Sequence, residues 1–240
     1  MKRDKIRSIV YDAMFLAIFV VFTFVPYLGY ITIGPVSFTY IHLFVILGAA
    51  LFGWKRGLLY GFFMGVFSLI KAVQFPGTAD YFFLNPFISV FPRMIFGLAS
   101  GLLFDRLKKI KFINQARFNR LLIPTSIFCS FFHTFIVVIM WYLFGILDPF
   151  KISATLGLGA IIQDMTFQAF IFSFLIWGSL IEITIAGVII PPIYALIVKL
   201  FKIGGVKEKE VNKIETKAAW FTFFKNFVRF FLLILLFNEL

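Results

Sequence analysis

The sequence predicts an all-α integral membrane protein: a six-transmembrane-helix bundle with a C-terminal amphipathic or seventh helix. Three observations lead there. Of the 240 residues, 61% are hydrophobic and only 14% charged, more apolar surface than one soluble core of this length can hide. The apolar residues gather into runs near the roughly 20 residues that cross a bilayer, and the length holds roughly six or seven such runs once loops are subtracted. The formal net charge of +12 comes mostly from cations concentrated in alternate connecting segments, the pattern of the positive-inside rule.

The elements follow in order. A basic start, Lys2, Arg3, Lys5 and Arg7, precedes an apolar run from Ile9 to Val25, which Pro26 stops. A signal peptide has the same opening, but no small-x-small cleavage site follows and more spans come after, so this run reads as retained helix 1. Residues 27–36 form an uncharged loop with Gly34-Pro35 as its turn. Helix 2 covers about Ser37 to Phe52 and ends at Gly53-Trp54-Lys55-Arg56-Gly57; helix 3 continues to about Gln74. Phe75 to Leu84 is a second loop, with Pro76-Gly77 and Asp80. Helix 4 starts near Pro86, a favourable first-turn residue, and runs to Phe104. Asp105 to Arg120 is a basic connector, and helix 5 covers about Leu121 to Phe144. Gly145 to Thr166 is mixed and reads as an external excursion. Helix 6 begins within 168–178 and ends near Phe201, with Pro191-Pro192 expected to kink it. The membrane domain is thus 1–201, followed by a charged cytoplasmic linker at 202–217 and a last apolar segment at 218–240. That segment carries Lys225 and Arg229 on one helix face, so it suits an interfacial amphipathic helix better than a seventh span.

Six spans place four connecting segments on one side. They carry Lys2, Arg3, Lys5 and Arg7; Lys55 and Arg56; Arg106, Lys108, Lys109, Lys111, Arg117 and Arg120; and Lys199, Lys202, Lys207, Lys209, Lys213 and Lys217. The three loops opposite carry only Lys151. The expectation is a multi-pass plasma-membrane protein with a cytoplasmic N-terminus. The same distribution explains the basic balance without nucleic acid as a partner. One cysteine, Cys129, allows no internal disulfide, and no CxxC or Cys/His spacing suggests a metal. No P-loop, HExxH or GxSxG appears. No enzyme activity, catalytic residue, cofactor or metal is expected, and any energy has to come from partners or an ion gradient.

Three sets of residues stand out. Small residues recur at helical spacing: Ala13 and Ala17; Gly57, Gly61 and Gly65; Gly97 and Gly101. Such stripes let helices approach closely, and for the glycines internal packing is the simpler reading. Polar residues interrupt the outer halves of the spans: Lys71, Arg93, His42, Thr39, Ser37, His133, Thr134 and Glu182. Arg93 lies roughly 10 Å into its helix, where a cation needs a partner or a water-filled cavity; its guanidinium suits a carboxylate or phosphate. The structural alternatives are an Arg93–Glu182 pair and a Lys71 that reaches back to the surface. Finally, Asn85 can cap helix 4 or hydrogen-bond a ligand.

Several segments together resemble one family. They are Ala-Met-Phe-Leu-Ala at 13–17, Ile33-Gly34-Pro35-Val36-Ser37-Phe38-Thr39, Leu84-Asn85-Pro86-Phe87-Ile88-Ser89-Val90-Phe91-Pro92-Arg93, and the Gly97/Gly101 pair. The chain resembles the substrate-binding S components of energy-coupling factor (ECF) vitamin transporters, nearest the pantothenate type, over residues 8–144 and more loosely over 178–200. It departs from the family pattern with Lys71 where relatives often carry Arg and His133 where they often carry Asn.

The resemblance implies a six-helix protein that binds a vitamin near the extracellular face. It would dock on a transmembrane coupling subunit attached to two cytosolic ATPases, and topple to release its cargo. Ala13 and Ala17 would be the docking stripe. The substrate-binding set would be Arg93 on a carboxylate, Lys71 adding positive field, Asn85, Thr39 and His133 hydrogen-bonding amide and hydroxyl groups, His42 alongside them, and Glu182 orienting Arg93 or His133. The alternatives are an S component for another vitamin such as riboflavin or folate, and a membrane scaffold subunit that binds no small molecule. A secondary transporter is disfavoured because no inverted repeat of broken helices is visible.

Overall fold

The computed structural model describes residues 2–25, 28–33, 36–74, 83–110, 113–147 and 167–201. The expected excursion at 148–166, most of the 75–84 loop including Asp80, the 202–217 linker and the C-terminal segment 218–240 lie outside them. The elements are α1 (Lys2–Phe24), β1 (Tyr30–Ile33), β2 (Val36–Thr39), α2 (Ile41–Phe52), α3 (Trp54–Gln74), α4 (Pro86–Ser89), α5 (Phe91–Lys109), α6 (Gln115–Leu147) and α7 (Phe167–Phe201). Among the described residues, five helices are long and apolar enough to cross a membrane, namely Ile6–Phe24, Trp54–Gln74, Pro86–Lys109, Gln115–Met140 and Ser179–Leu200, with the shorter apolar Ile41–Phe52 as a sixth. The six-helix expectation holds.

Boundaries differ where polar chemistry acts beyond the apolar runs. Helix 2 starts at Ile41, not Ser37, because Ser37 to Thr39 belong to β2, which pairs antiparallel with β1 from Tyr30↔Thr39 to Ile33↔Val36. The expected loop is therefore a hairpin at one end of the bundle. The 105–120 connector is mostly helix. α5 runs on to Lys109, with Arg106, Lys108 and Lys109 in its last turn, where cations favour the helix dipole. α6 already starts at Gln115, capped by the Asn114 side chain, which accepts from the Arg117 N–H at 2.9 Å. α7 passes through Pro191 and Pro192 as a single helix.

Contacts along the helices give their directions. α3 and α5 run antiparallel through glycines. A Cβ on Gly57 would collide with the Gly97 carbonyl, one on Gly61 with the Arg93 carbonyl, one on Gly65 with Val90, and one on Gly101 with Trp54. The stripes seen in the sequence are thus internal packing surfaces, backbone against backbone. Ser89 adds a hydrogen bond to the Gly65 carbonyl at 2.9 Å. α6 and α7 are antiparallel too, with Phe118 on Tyr194, Ile127 over Gly187 and Thr134 bonded to Glu182. α1 lies parallel to α3, from Asp12–Arg56 to Phe24–Phe67.

α2 is apolar on every side, as a central helix must be, and ten of its residues are buried. It is only 12 residues long, about 18 Å, and the hairpin completes the bundle at its N-terminal end. At its other end the chain reverses on the single residue Gly53, at φ 85°, a conformation that favours glycine. A side chain there would strike Asp105, whose carboxylate caps α3 at the Trp54 N–H, 3.0 Å away. α1 packs inward through Phe15 and Phe19, with Phe15 stacked on Tyr60 at 4.8 Å and 4°, and turns an apolar face outward.

Candidate functional site

At the hairpin end, α2, α6 and α7 bring four of the sequence candidates together. Thr39 is the last residue of β2 and pairs with Tyr30, so the hairpin sets its position. Its hydroxyl accepts from the Ile41 N–H at 3.3 Å and opens α2. Its carbonyl accepts from His42 Nδ1 at 2.7 Å, which makes Nδ1 the protonated nitrogen, and its N–H donates to Glu182 Oε1 at 3.2 Å. His42 Nε2 lies 2.9 Å from Ser130 Oγ on α6. Glu182 also accepts the Thr134 hydroxyl at 2.7 Å, which ties α7 to α6 at this level.

His133 completes the cluster in a different state. Its ring stacks on His42 with centroids 4.9 Å apart and planes 4° from parallel, and its other side meets Phe96 at 4.9 Å. Both ring nitrogens are buried and have no hydrogen-bond partner among the described residues. Leaving such groups unmade costs about 1–3 kcal/mol each.

Arg93 sits beside the cluster, 3% exposed, on the turn of α5 that packs against Gly61. Its guanidinium donates to the Ile88 carbonyl at 2.6 Å and lies over the Phe83 ring at 4.3 Å. Its charge acts on both His133 and Glu182. Fold and site are coupled here, because the glycine contact that lets α5 approach α3 also sets Arg93's depth.

The remaining candidates lie elsewhere. Lys71, in the last turn of α3, rests over the Tyr30 ring at 3.9 Å, and Tyr30 shares a hydrogen bond with Ser68 at 3.0 Å; the lysine is held against the hairpin. Asn85 caps α4, its Oδ1 accepting from the Phe87 N–H at 3.0 Å, which leaves its amide NH2 for other use. Ala13 and Ala17 are both exposed on α1. The sequence reading missed Ser130, Phe96, Phe83 and Tyr30. Ser126, Ser130 and Thr134 recur every fourth residue in an apolar helix, a buried polar stripe that spacing alone could have revealed.

The cluster gathers polar groups and a buried arginine from α2, α5, α6 and α7 next to the hairpin, inside a bundle of apolar helices. Residues 7–194 match the family model described as ECF transporter, substrate-specific component. The chain belongs to that family. ECF substrate-specific components are transporter subunits embedded in the membrane, and the helical bundle described above is that subunit. A curated relative, the pantothenate transporter PanT of Leuconostoc mesenteroides, is 34% identical over 111 residues, covering 44% of this chain and 54% of the relative. The chain therefore matches about half the length of that relative.

Proposed function

We propose that this substrate-specific component captures pantothenate, or a similar small anionic vitamin, at the hairpin end of the bundle. ATP-driven uptake then proceeds through a transmembrane coupling subunit and two cytosolic ATPases. The observation that carries the reading is the convergence of Arg93, His133, His42, Glu182 and Thr134 from four helices with Thr39 of the hairpin. Arg93 supplies the countercharge for a carboxylate. His133 offers a donor and an acceptor to an amide or hydroxyl, and is the histidine with both nitrogens uncommitted. Lys71 adds positive field from the hairpin side, the Asn85 amide reaches a ligand from the rim, and Glu182 fixes Thr39 and Thr134. The distribution of lysine and arginine supports a cytoplasmic N-terminus in the plasma membrane, which turns the hairpin outward. The exposed Ala13–Ala17 stripe supports α1 as the face that docks on the coupling subunit. The relative's substrate and the buried cation point to the same ligand class.

The test is thermal stability of the detergent-solubilised protein against a vitamin panel, since a ligand that binds only the folded state raises the midpoint with concentration. A shift with pantothenate that disappears in a folded Arg93→Ala variant supports the reading. A shift only with riboflavin or folate replaces the substrate. No shift with any vitamin, alongside a stable partner outside the ECF module, favours a scaffold role.

A further inference from the structure

The chain has two histidines, and the fold stacks one on the other beside a buried glutamate. Ligating atoms of His42, His133 and Glu182 lie within 4.8 Å of one another, and all three residues are buried. We infer that these three side chains form a site for a divalent transition-metal ion of the zinc type. This goes beyond the vitamin reading and does not depend on which vitamin binds.

The donor set selects the ion. Two imidazole nitrogens and one carboxylate suit zinc, cobalt or nickel, whereas magnesium and calcium require oxygen ligands. Three protein ligands leave a fourth position open, as in zinc sites that bind an exchangeable group. The outer contacts are those a metal site needs. His42 Nδ1 donates to the Thr39 carbonyl, which fixes the ring and leaves Nε2 with its lone pair towards α6. Glu182 is steadied by the Thr39 N–H and the Thr134 hydroxyl and keeps further lone pairs. Such second contacts orient ligands and raise their basicity.

The second, independent observation is His133. Both of its nitrogens are buried without a hydrogen-bond partner among the described residues, and a metal ion satisfies one of them outright. Its ring is also the part that must move. Ligand atoms around a tetrahedral zinc are about 3.4 Å apart, so atoms now within 4.8 Å of one another have to close by up to about 1.4 Å. Because the two rings are parallel, their in-plane lone pairs meet at one ion only after one ring turns. His133, with no hydrogen bond among the described residues, is the ring that has to turn, out of its stack between His42 and Phe96, while Ser130 gives up its contact with His42. The charge of Arg93 acts on the same residues. It opposes the ion and favours an anionic fourth ligand.

The experiment uses tag-free, full-length protein purified with a chelator, exchanged into chelator-free buffer without vitamin, and equilibrated with zinc or with magnesium. Metal is counted per chain after desalting, and cobalt is added in parallel to read its ligand-field absorption. The expected result is about one zinc per chain, no retained magnesium and a cobalt spectrum of tetrahedral type. His133→Asn and Glu182→Gln should each weaken zinc retention more than roughly 10-fold. No stoichiometric zinc, or zinc unchanged by both substitutions, overturns the inference. If His133→Asn fails to fold, Glu182→Gln and the cobalt spectrum of the unaltered protein still decide. Because no vitamin is present, a negative here leaves the pantothenate reading untouched, and a negative vitamin panel leaves this result untouched.

Discussion

Thr134 donates its hydroxyl hydrogen to Glu182 at 2.7 Å, and that bond ties the two longest helices together beside the histidine pair. Glu182 accepts at both oxygens, from Thr134 and from the Thr39 N–H. Glu182→Ala strands both donors in a buried site, at a cost of about 1–3 kcal/mol. Glu182→Gln keeps one carbonyl acceptor and should lose less. Thr134→Val removes one hydrogen bond, worth about 0.6 kcal/mol on average within a membrane bundle. Thermal midpoints should therefore fall in the order Glu182→Ala, Glu182→Gln, Thr134→Val; a midpoint for Glu182→Ala equal to that of the unaltered protein would mean that Glu182 does not hold the cluster.

Gly61 lies against the backbone of Arg93, so one methyl group tests packing and binding together. In Gly61→Ala the new Cβ would meet the Arg93 carbonyl group, and backbone on a rigid helix cannot step aside as a side-chain tip can. Overpacking of this kind costs typically 1–3 kcal/mol and shifts Arg93 relative to the cluster. The prediction is a lower thermal midpoint together with weaker vitamin binding. Leu59→Ala, on the exposed face of the same helix, should stay within about 0.5 kcal/mol and bind normally.

The sequence showed which segments are helices and hid which residues meet. Apolar runs and cation placement gave six spans because both follow from the bilayer itself, and the glycine stripes gave internal packing because only close helix approach needs them. The hairpin was hidden: Ser37 to Thr39 continue an apolar run, and only pairing with Tyr30 to Ile33 makes them a strand. The histidine–glutamate cluster was hidden for a different reason. His42, His133 and Glu182 sit on three separate helices, so local spacing, which is how metal sets are read from sequence, carries no trace of them. Asn85 was legible as a cap or a ligand group, and the hydrogen bond from Phe87 to its Oδ1 shows the cap without engaging its amide NH2.

At the end remote from the hairpin, Asp12 on α1 meets Arg56 on α3 at 2.9 Å and accepts the Tyr60 hydroxyl at 2.6 Å. Arg56 also reaches Ser8. Asp12→Ala leaves the tyrosine hydroxyl and the guanidinium without this carboxylate. Both ion-pair side chains are partly solvent-exposed, so the loss should sit near the low end for a buried charged hydrogen bond, about 1 kcal/mol. Asp12→Asn should lose less because its carbonyl still accepts from Tyr60. Vitamin binding at the far end should be unchanged in both; a loss of binding would show that α1 placement reaches the site.

Ala13 and Ala17 face away from the bundle while Phe15 and Phe19 of the same helix are buried, so the two faces of α1 can be tested separately. Leucine at both alanine positions fills no internal space and exposes a surface as apolar as the neighbouring Val10, Met14 and Val21. The isolated protein should keep its thermal midpoint within about 0.5 kcal/mol and keep its vitamin affinity. Close helix–helix contact needs small residues at the interface, so the bulkier stripe should abolish co-purification with the coupling subunit and vitamin uptake in cells. Retained assembly with Ala13→Leu and Ala17→Leu combined would move the docking surface off this face of α1. Loss of vitamin binding in the isolated variant would instead mean that the stripe contributes to the fold of the site.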